Sequence, residues 1–158
     1  MTQLLNSPLE IGIRIVALLT ALYPARADLT RIVLLDHAVL HSGDFSGVRS
    51  LHPEIPGRVG ELGVKRELVH QAILLMGARG LIIRDLDISG ISYGASDDAR
   101  PFLDAIDAPY LSRLRERCNW AATEFGPLDD ESIRARLDVV FGRWAEEFEH
   151  LNEDEHRG

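Results

Sequence analysis

Cysteine occurs once, as Cys118, and lysine once, as Lys65. A single thiol cannot close a disulfide within the chain, so stability must come from a packed core, and this usage fits a reducing cytosol. Aromatic residues are scarce, at 6%, so that core must be built mainly from Leu, Ile, Val and Ala. No hydrophobic run is long enough to span a bilayer. The most apolar stretch, Ile11 to Tyr23, carries Arg14 and stops at Pro24, whereas a spanning helix needs about 20 apolar residues. The opening MTQLLNSPLE has no basic region followed by an apolar run and a cleavage site, so no signal peptide is expected. Positive charge is also short. The formal net charge is −8, a balance that argues against strong stand-alone binding to nucleic acid, where phosphate neutralisation dominates affinity.

The chemical signatures missing from the chain matter equally. Gly57-x-x-Gly60-x-x-Gly63 resembles a phosphate cradle, but no Gly-Lys-Ser/Thr follows and no strand precedes it, so no nucleotide cofactor is expected. His41, Asp44, His52 and Glu61 are residue types that suit zinc, but their spacing matches no dependable ligand pattern, and no metal is expected. Ser42, His41 and Asp44 could be assembled into a triad only by pairing sequence neighbours, which rarely reach that geometry, and there is no nucleophile elbow. Cys118 reads as an inert core thiol without a base beside it. The chain is therefore read as non-enzymatic, without a cofactor.

What is present is a globular composition, 46% apolar and 27% charged over 158 residues, enough to bury a core in one domain. Ser7-Pro8-Leu9-Glu10 is a capping box with proline at the first helical position, and Tyr23-Pro24 ends that helix. Leu9, Ile13, Val16, Leu19 and Tyr23 form one stripe, and Ile11, Ile15, Leu18 and Leu22 a second. Asp28 caps a second helix whose inner face is Leu29, Ile32, Val33, Leu35 and Val39, with Asp36 and His37 opposite or beside it. A third helix starts soon after Arg58 and ends near Gly80, with Leu62, Val69, Ala72, Ile73 and Met76 inward. Its Gly60 and Gly63 suggest a close approach by another backbone. Leu81–Arg84 and Gly90–Tyr93 flank a turn at Asp85–Ser89, a short hairpin.

Three helices followed by a hairpin is the element order of a winged helix. Pro101 and Pro109 then start a short and a longer helix, and Asp129 caps a last one with the stripe Ile133, Leu137, Val140, Trp144, Phe148 and Leu151. The predicted fold is thus mainly α with a small β-hairpin: a winged-helix-like part over 7–95, a helical extension over 96–151 and an acidic tail over 152–158. Arg113, Arg115, Arg117, Arg134, Arg136 and Arg143 are interleaved with Glu116, Glu131 and Asp138, which predicts a salt-bridged surface and not a DNA track.

The stretch from His41 to Arg66 stands apart from this packing pattern. It holds two histidines, two prolines, five glycines and a concentration of charge, and long loops inside compact domains are usually functional when ordered. His41, Asp44, His52, Arg58, Glu61, Lys65 and Arg66 are the candidate partner-binding residues. On the other side stands a solvated helix face with pairs such as Glu61–Lys65, and loop residues that anchor the backbone.

The segments Ser7-Pro8-Leu9-Glu10-Ile11-Gly12, Tyr23-Pro24, His41-Ser42-Gly43-Asp44, Leu51-His52-Pro53, Arg58-x-Gly60-Glu61, Lys65-Arg66-Glu67, Leu75-Met76 and Gly80-Leu81-Ile82 follow one another in a recognisable order. In these the chain resembles the middle component of bacterial ABC-three-component systems, the group that includes the small third subunit of Lamassu-type antiphage defence. The resemblance runs from about Ser7 to Phe148. It implies a cytoplasmic, non-catalytic subunit that bridges or restrains an ATPase similar to structural-maintenance-of-chromosomes proteins and an effector, often a nuclease. DNA would then be met only through the complex, and no membrane is involved. The competing reading from the residues is a winged-helix regulator that binds DNA through its third helix, against which Glu61, Glu67 and the net charge weigh.

Overall fold

The computed structural model describes residues 7–42 and 59–141; in the second stretch, side chains before Lys65 and after Leu137 fall outside the description. The first helix, α1 (Pro8–Leu22), begins where the Ser7 hydroxyl accepts from the amide of Glu10 at 3.2 Å. It closes at Tyr23, ahead of a cis Tyr23–Pro24 peptide. The second, α2 (Leu29–Leu40), is capped in the same way by Asp28, which accepts from the amide of Arg31 at 2.8 Å. Both caps satisfy amides that have no partner within the helix. The third, α3 (Val59–Ala78), ends with Gly80 at φ +77°, a left-handed position suited to glycine.

A hairpin of β1 (Ile82–Asp87) and β2 (Gly90–Ala95) follows, antiparallel, with Ile82 opposite Ala95 and Asp87 opposite Gly90. Both strands extend further than the sequence predicts. Asp85, Leu86 and Asp87 read as turn residues but pair with Ser92, Ile91 and Gly90, which leaves a two-residue turn of Ile88 and Ser89. The aspartates are compatible with a strand here because they stand in solvent, where Asp87 also accepts from the Ser89 amide at 2.8 Å. Between α1 and α2, Ala27 bridges to Tyr93 through two backbone hydrogen bonds of 2.9 and 2.8 Å. The order helix, bridge, helix, helix, hairpin is compatible with a winged helix. A short helix α4 (Ala99–Asp104), then α5 (Pro109–Phe125) and α6 (Asp130–Phe141), complete the described chain, which is mainly helical with one small hairpin.

The core is aliphatic, as the shortage of aromatics requires. Helix α1 packs on α3, α5 and β2, and α2 lies against α3 and α5. Of the two stripes on α1, Ile11, Ile15, Leu18 and Leu22 are all buried, whereas Leu9 and Tyr23 from the other are exposed. Helix α2 is more enclosed than its stripe suggests, because Leu34, Asp36 and Ala38 are buried along with Ile32, Val33, Leu35 and Val39. Val69, Ala72, Ile73 and Met76 form the inner face of α3, and Ile133 and Leu137 that of α6; Leu62, Val140, Trp144, Phe148 and Leu151 fall outside the described side chains. A close helix approach occurs at Gly12 of α1, which faces a side chain of α3. A Cβ on Gly12 would lie 2.8 Å from Cγ of the buried Met76. The surroundings of Gly60 and Gly63 are outside the described residues.

The C-terminal helices are tied back by Arg31. Its guanidinium donates to the carbonyls of Phe125, Gly126 and Leu128 at 3.2, 3.2 and 2.7 Å and pairs with Asp130 at 2.8 Å. It thereby satisfies carbonyls at the end of α5 and ties down Asp130 at the start of α6, whose amide at Ser132 donates to Asp129. Two of the arginines on these helices are engaged as a salt-bridged surface would have them. Arg115 meets Asp104 at 2.7 Å, and Arg136 meets Glu124 at 3.7 Å while lying 4.6 Å over the Phe125 ring.

Candidate functional site

A buried polar constellation lies where α1, α2 and α3 meet. Arg14 of α1 reaches Asp36 of α2 through two parallel contacts, Nε to Oδ1 at 2.5 Å and Nη2 to Oδ2 at 3.1 Å. Lys65 of α3 approaches the same carboxylate, Nζ to Oδ2, at 3.5 Å. Asp36 is fully buried, Arg14 nearly so, and the lysine side chain is one-fifth exposed. Burial works against each of these charges, and their mutual attraction decides the outcome. For Asp36 burial alone would push the carboxyl up, but Arg14 and Lys65 overcome it and hold it below the usual range. For Arg14 the neighbouring carboxylate likewise outweighs burial and raises the pKa further. For Lys65 burial prevails, with Arg14 adding to it against the pull of Asp36, so its ammonium sits below the ordinary lysine value.

His37 and His41 extend this cluster along α2 towards the segment that follows. Their rings lie 4.5 Å apart, tilted by 36°. Burial, then Lys65, then His41 push His37 well below the ordinary histidine value, so its ring is neutral at pH 7. The His41 amide closes α2 by donating to the His37 carbonyl at 3.0 Å, and His41 and Ser42 are both buried. Arg66 donates to the Thr30 hydroxyl at 3.1 Å.

The candidate residues are thus placed unequally. His41, just past α2, and Lys65 of α3 both neighbour His37, whereas Arg66 engages Thr30. Glu61 belongs to the first turns of α3, with its side chain outside the description; Asp44, His52 and Arg58 lie outside the described residues altogether. Sequence reasoning missed Arg14 and Asp36. An arginine inside an otherwise apolar helix, and an aspartate beside a core stripe with only Ile32 and Leu40 at i±4, were the signal available.

The chemistry of this cluster is that of a brace. Among the described residues, no three His, Cys, Asp or Glu side chains converge as a metal ion would require. Cys118 on α5 is buried, and burial pushes its thiol above the ordinary range, the reverse of an activated nucleophile. A cleft of about 230 Å3 opens elsewhere, between Tyr23, Pro24, Arg26, Ile83, Gly94 and Asp97; its charged lining residues are Arg26 and Asp97. No helix among the described residues is long and apolar enough to cross a membrane.

The described residues form a helical domain with a small hairpin and a buried charge brace. Residues 4–147 match the family model described as ABC-three component (ABC-3C) system Middle Component 2, and the chain belongs to this family. No curated protein and no solved structure matches the chain.

Proposed function

We propose that this middle component is a non-catalytic accessory subunit that links or restrains the other members of its system, an ATPase similar to structural-maintenance-of-chromosomes proteins and an effector nuclease, in antiphage defence of the Lamassu type. The observation that carries the reading is family membership over nearly the whole chain. The described geometry agrees with it: the titratable groups at the helix junction are paired or neutral and positioned to hold helices together. The subunit takes no cofactor, works in the cytoplasm and meets DNA only through the complex.

The partner contact lies in the His41–Arg66 stretch, with His41, Asp44, His52, Arg58, Glu61, Lys65 and Arg66 as its members. Arg66 and Arg58 are the arginines suited to anchor it, since arginine is frequent at interface hot spots. Co-expression with the other components of the system tests both statements. The tagged wild-type chain should retain them through size-exclusion chromatography, and Arg58→Ala combined with Arg66→Ala should weaken retention at least tenfold. The Thr30 hydrogen bond lost with Arg66 costs about 1 kcal/mol, so the melting temperature should fall by only a few degrees. Normal assembly by the folded double variant would refute the chosen surface.

A second reading keeps one supporting observation. The Ala27–Tyr93 bridge and the hairpin are compatible with a winged helix, and hence with a DNA-binding regulator. Against it, Lys65 of the third helix is turned onto Asp36 and the hairpin is acidic. Tight, saturable binding of duplex DNA by the chain alone would favour that reading.

A further inference from the structure

Strand β1 has two edges and, among the described residues, one partner. On one side it pairs with β2 through six residue pairs without a bulge. On the other side no described strand lies beside it, whereas the far edge of β2 is closed by Ala27. That closure fixes the orientation of the backbone groups on the open edge. The amide and the carbonyl of Tyr93 both bond to Ala27, at 2.8 and 2.9 Å, and so point away from β1. In an antiparallel ladder such a residue stands opposite one that is likewise turned outward. Its opposite is Arg84, and the alternation carries the same orientation to Leu86, opposite Ile91. The Ser96 amide, which donates to the Leu81 carbonyl at 3.0 Å, keeps the same phase at the base of the hairpin. Arg84 and Leu86, both exposed, thus each direct an amide and a carbonyl sideways into solvent.

An edge of this kind states the chemistry of what covers it, because donors and acceptors at every second residue match the same groups of another extended chain. A helix bonds its backbone groups internally and a phosphate offers acceptors alone, so neither fits. Open edges are commonly blunted by proline or a bulge, and β1 has neither; Arg84, Asp85 and Asp87 project from its two faces and leave the edge itself clear. A cleft adjoins it. On the face opposite to Arg84, the pair Ile83 and Gly94 lines the cleft together with Tyr23 and Pro24, and Ile83 and Tyr23 are 44% and 57% exposed. A strand laid along β1 places one of its alternate side chains beside Ile83, at this cleft. At about 230 Å3 the cleft is smaller than the roughly 300–1,000 Å3 of small-molecule sites and suits a single apolar side chain. A second copy is a poor occupant. Antiparallel self-pairing through Arg84 and Leu86 sets Arg84 against Arg84, Asp85 against Asp85 or Asp85 against Asp87, and like charges directly opposite are destabilising.

We propose that β1 accepts an extended segment of another protein component of the same system as a third strand, bonded through the main chain of Arg84 and Leu86 and carrying an apolar side chain into the cleft beside Tyr23, Pro24 and Ile83. This rests on the accessory-subunit reading and adds to it a contact outside the His41–Arg66 stretch.

Amide hydrogen exchange on the full wild-type chain, free and assembled with the co-expressed components, reads the backbone directly. In the free chain the Arg84 and Leu86 amides should exchange faster than those of Ile83 and Asp85, which face β2. On assembly the two outward amides should slow by about tenfold or more. A pair of variants separates backbone from side chain. Arg84→Pro removes an outward amide and no hydrogen bond of the hairpin, a position where an edge strand tolerates proline. It should keep the circular dichroism of the wild type and lower retention of one component by about tenfold, the effect of a main-chain hydrogen bond left unmade. Arg84→Ala keeps the amide and should retain that component nearly as the wild type does. Unchanged exchange at Arg84 and Leu86 in an assembled complex would overturn the strand proposal alone, as would normal retention by a folded Arg84→Pro chain; if that variant does not fold, the exchange result decides. An equal loss from Arg84→Ala would mark a side-chain contact in place of a strand and overturn it too. A wild-type chain that retains no component would overturn it together with the accessory-subunit reading. Protection that arises in the chain alone and grows with its concentration would identify a second copy as the occupant, and equally overturn it.

Discussion

Replacing Asp36 by asparagine should be among the most damaging single changes in the described part of this chain. Among the described residues the carboxylate is the anion that Arg14 and Lys65 share, and it joins three helices at a point where the Arg14 side chain is only 7% exposed. Removing one partner of a buried ion pair typically costs about 3–5 kcal/mol, because the charge left behind has been desolvated without compensation. For a chain of this size that corresponds to a fall of roughly 6–20 °C in melting temperature. Lys65→Met should cost far less, within about 1 kcal/mol, because Arg14 still satisfies Asp36 through two contacts and the lysine, partly exposed, is a minor member.

The combined variant Arg14→Met, Asp36→Leu and Lys65→Met should recover most of the loss, since a well-packed apolar replacement of a buried ion cluster is often neutral or better. Urea unfolding followed by circular dichroism measures all three, with an unchanged slope showing that stability alone has altered. The sign of the pH dependence follows from the same geometry. The folded pKa of Asp36 is depressed, so its contribution is present above the ordinary carboxylate value and is lost as pH falls through the folded one. If Asp36→Asn cost less than about 1 kcal/mol, or no more than Lys65→Met, the brace would be an incidental pairing and the reasoning would fail.

Three other perturbations probe separate features. Arg31→Ala strips charge-assisted hydrogen bonds from the carbonyls of Phe125, Gly126 and Leu128 and should cost about 2–3 kcal/mol, with faster amide exchange confined to the α5–α6 junction. His37 stays neutral in the folded chain while the unfolded chain protonates, so the folded state binds fewer protons below about pH 6.5. Stability should therefore fall on acidification at up to about 1.4 kcal/mol per pH unit, and His37→Gln should flatten that limb. Gly12→Ala should destabilise by about 1–2 kcal/mol by crowding buried Met76, and Met76→Ala in the same chain should make the alanine at position 12 nearly neutral; equal costs in both backgrounds would disprove the contact.

What the sequence determined by itself is everything governed by neighbours a few residues apart. Ser7 and Asp28 start helices because their side chains reach amides three positions on; Pro109 and Gly80 mark a beginning and an end through their own backbone preferences. The aliphatic periodicity of α3 and α6 likewise located their buried faces. The tertiary structure decided the roles of charges whose partners lie far along the chain. Arg14 appeared as an obstacle to membrane insertion, Asp36 as a residue beside a stripe and Lys65 as part of a solvated face. Only the crossing of three helices brings them onto one carboxylate, from positions 22 residues apart in the case of Arg14 and Asp36. The hairpin divides the same way. Its existence was local, but its reach past the core was not, because Asp85 and Asp87 signal a turn in sequence and become strand residues only where the fold leaves them in water.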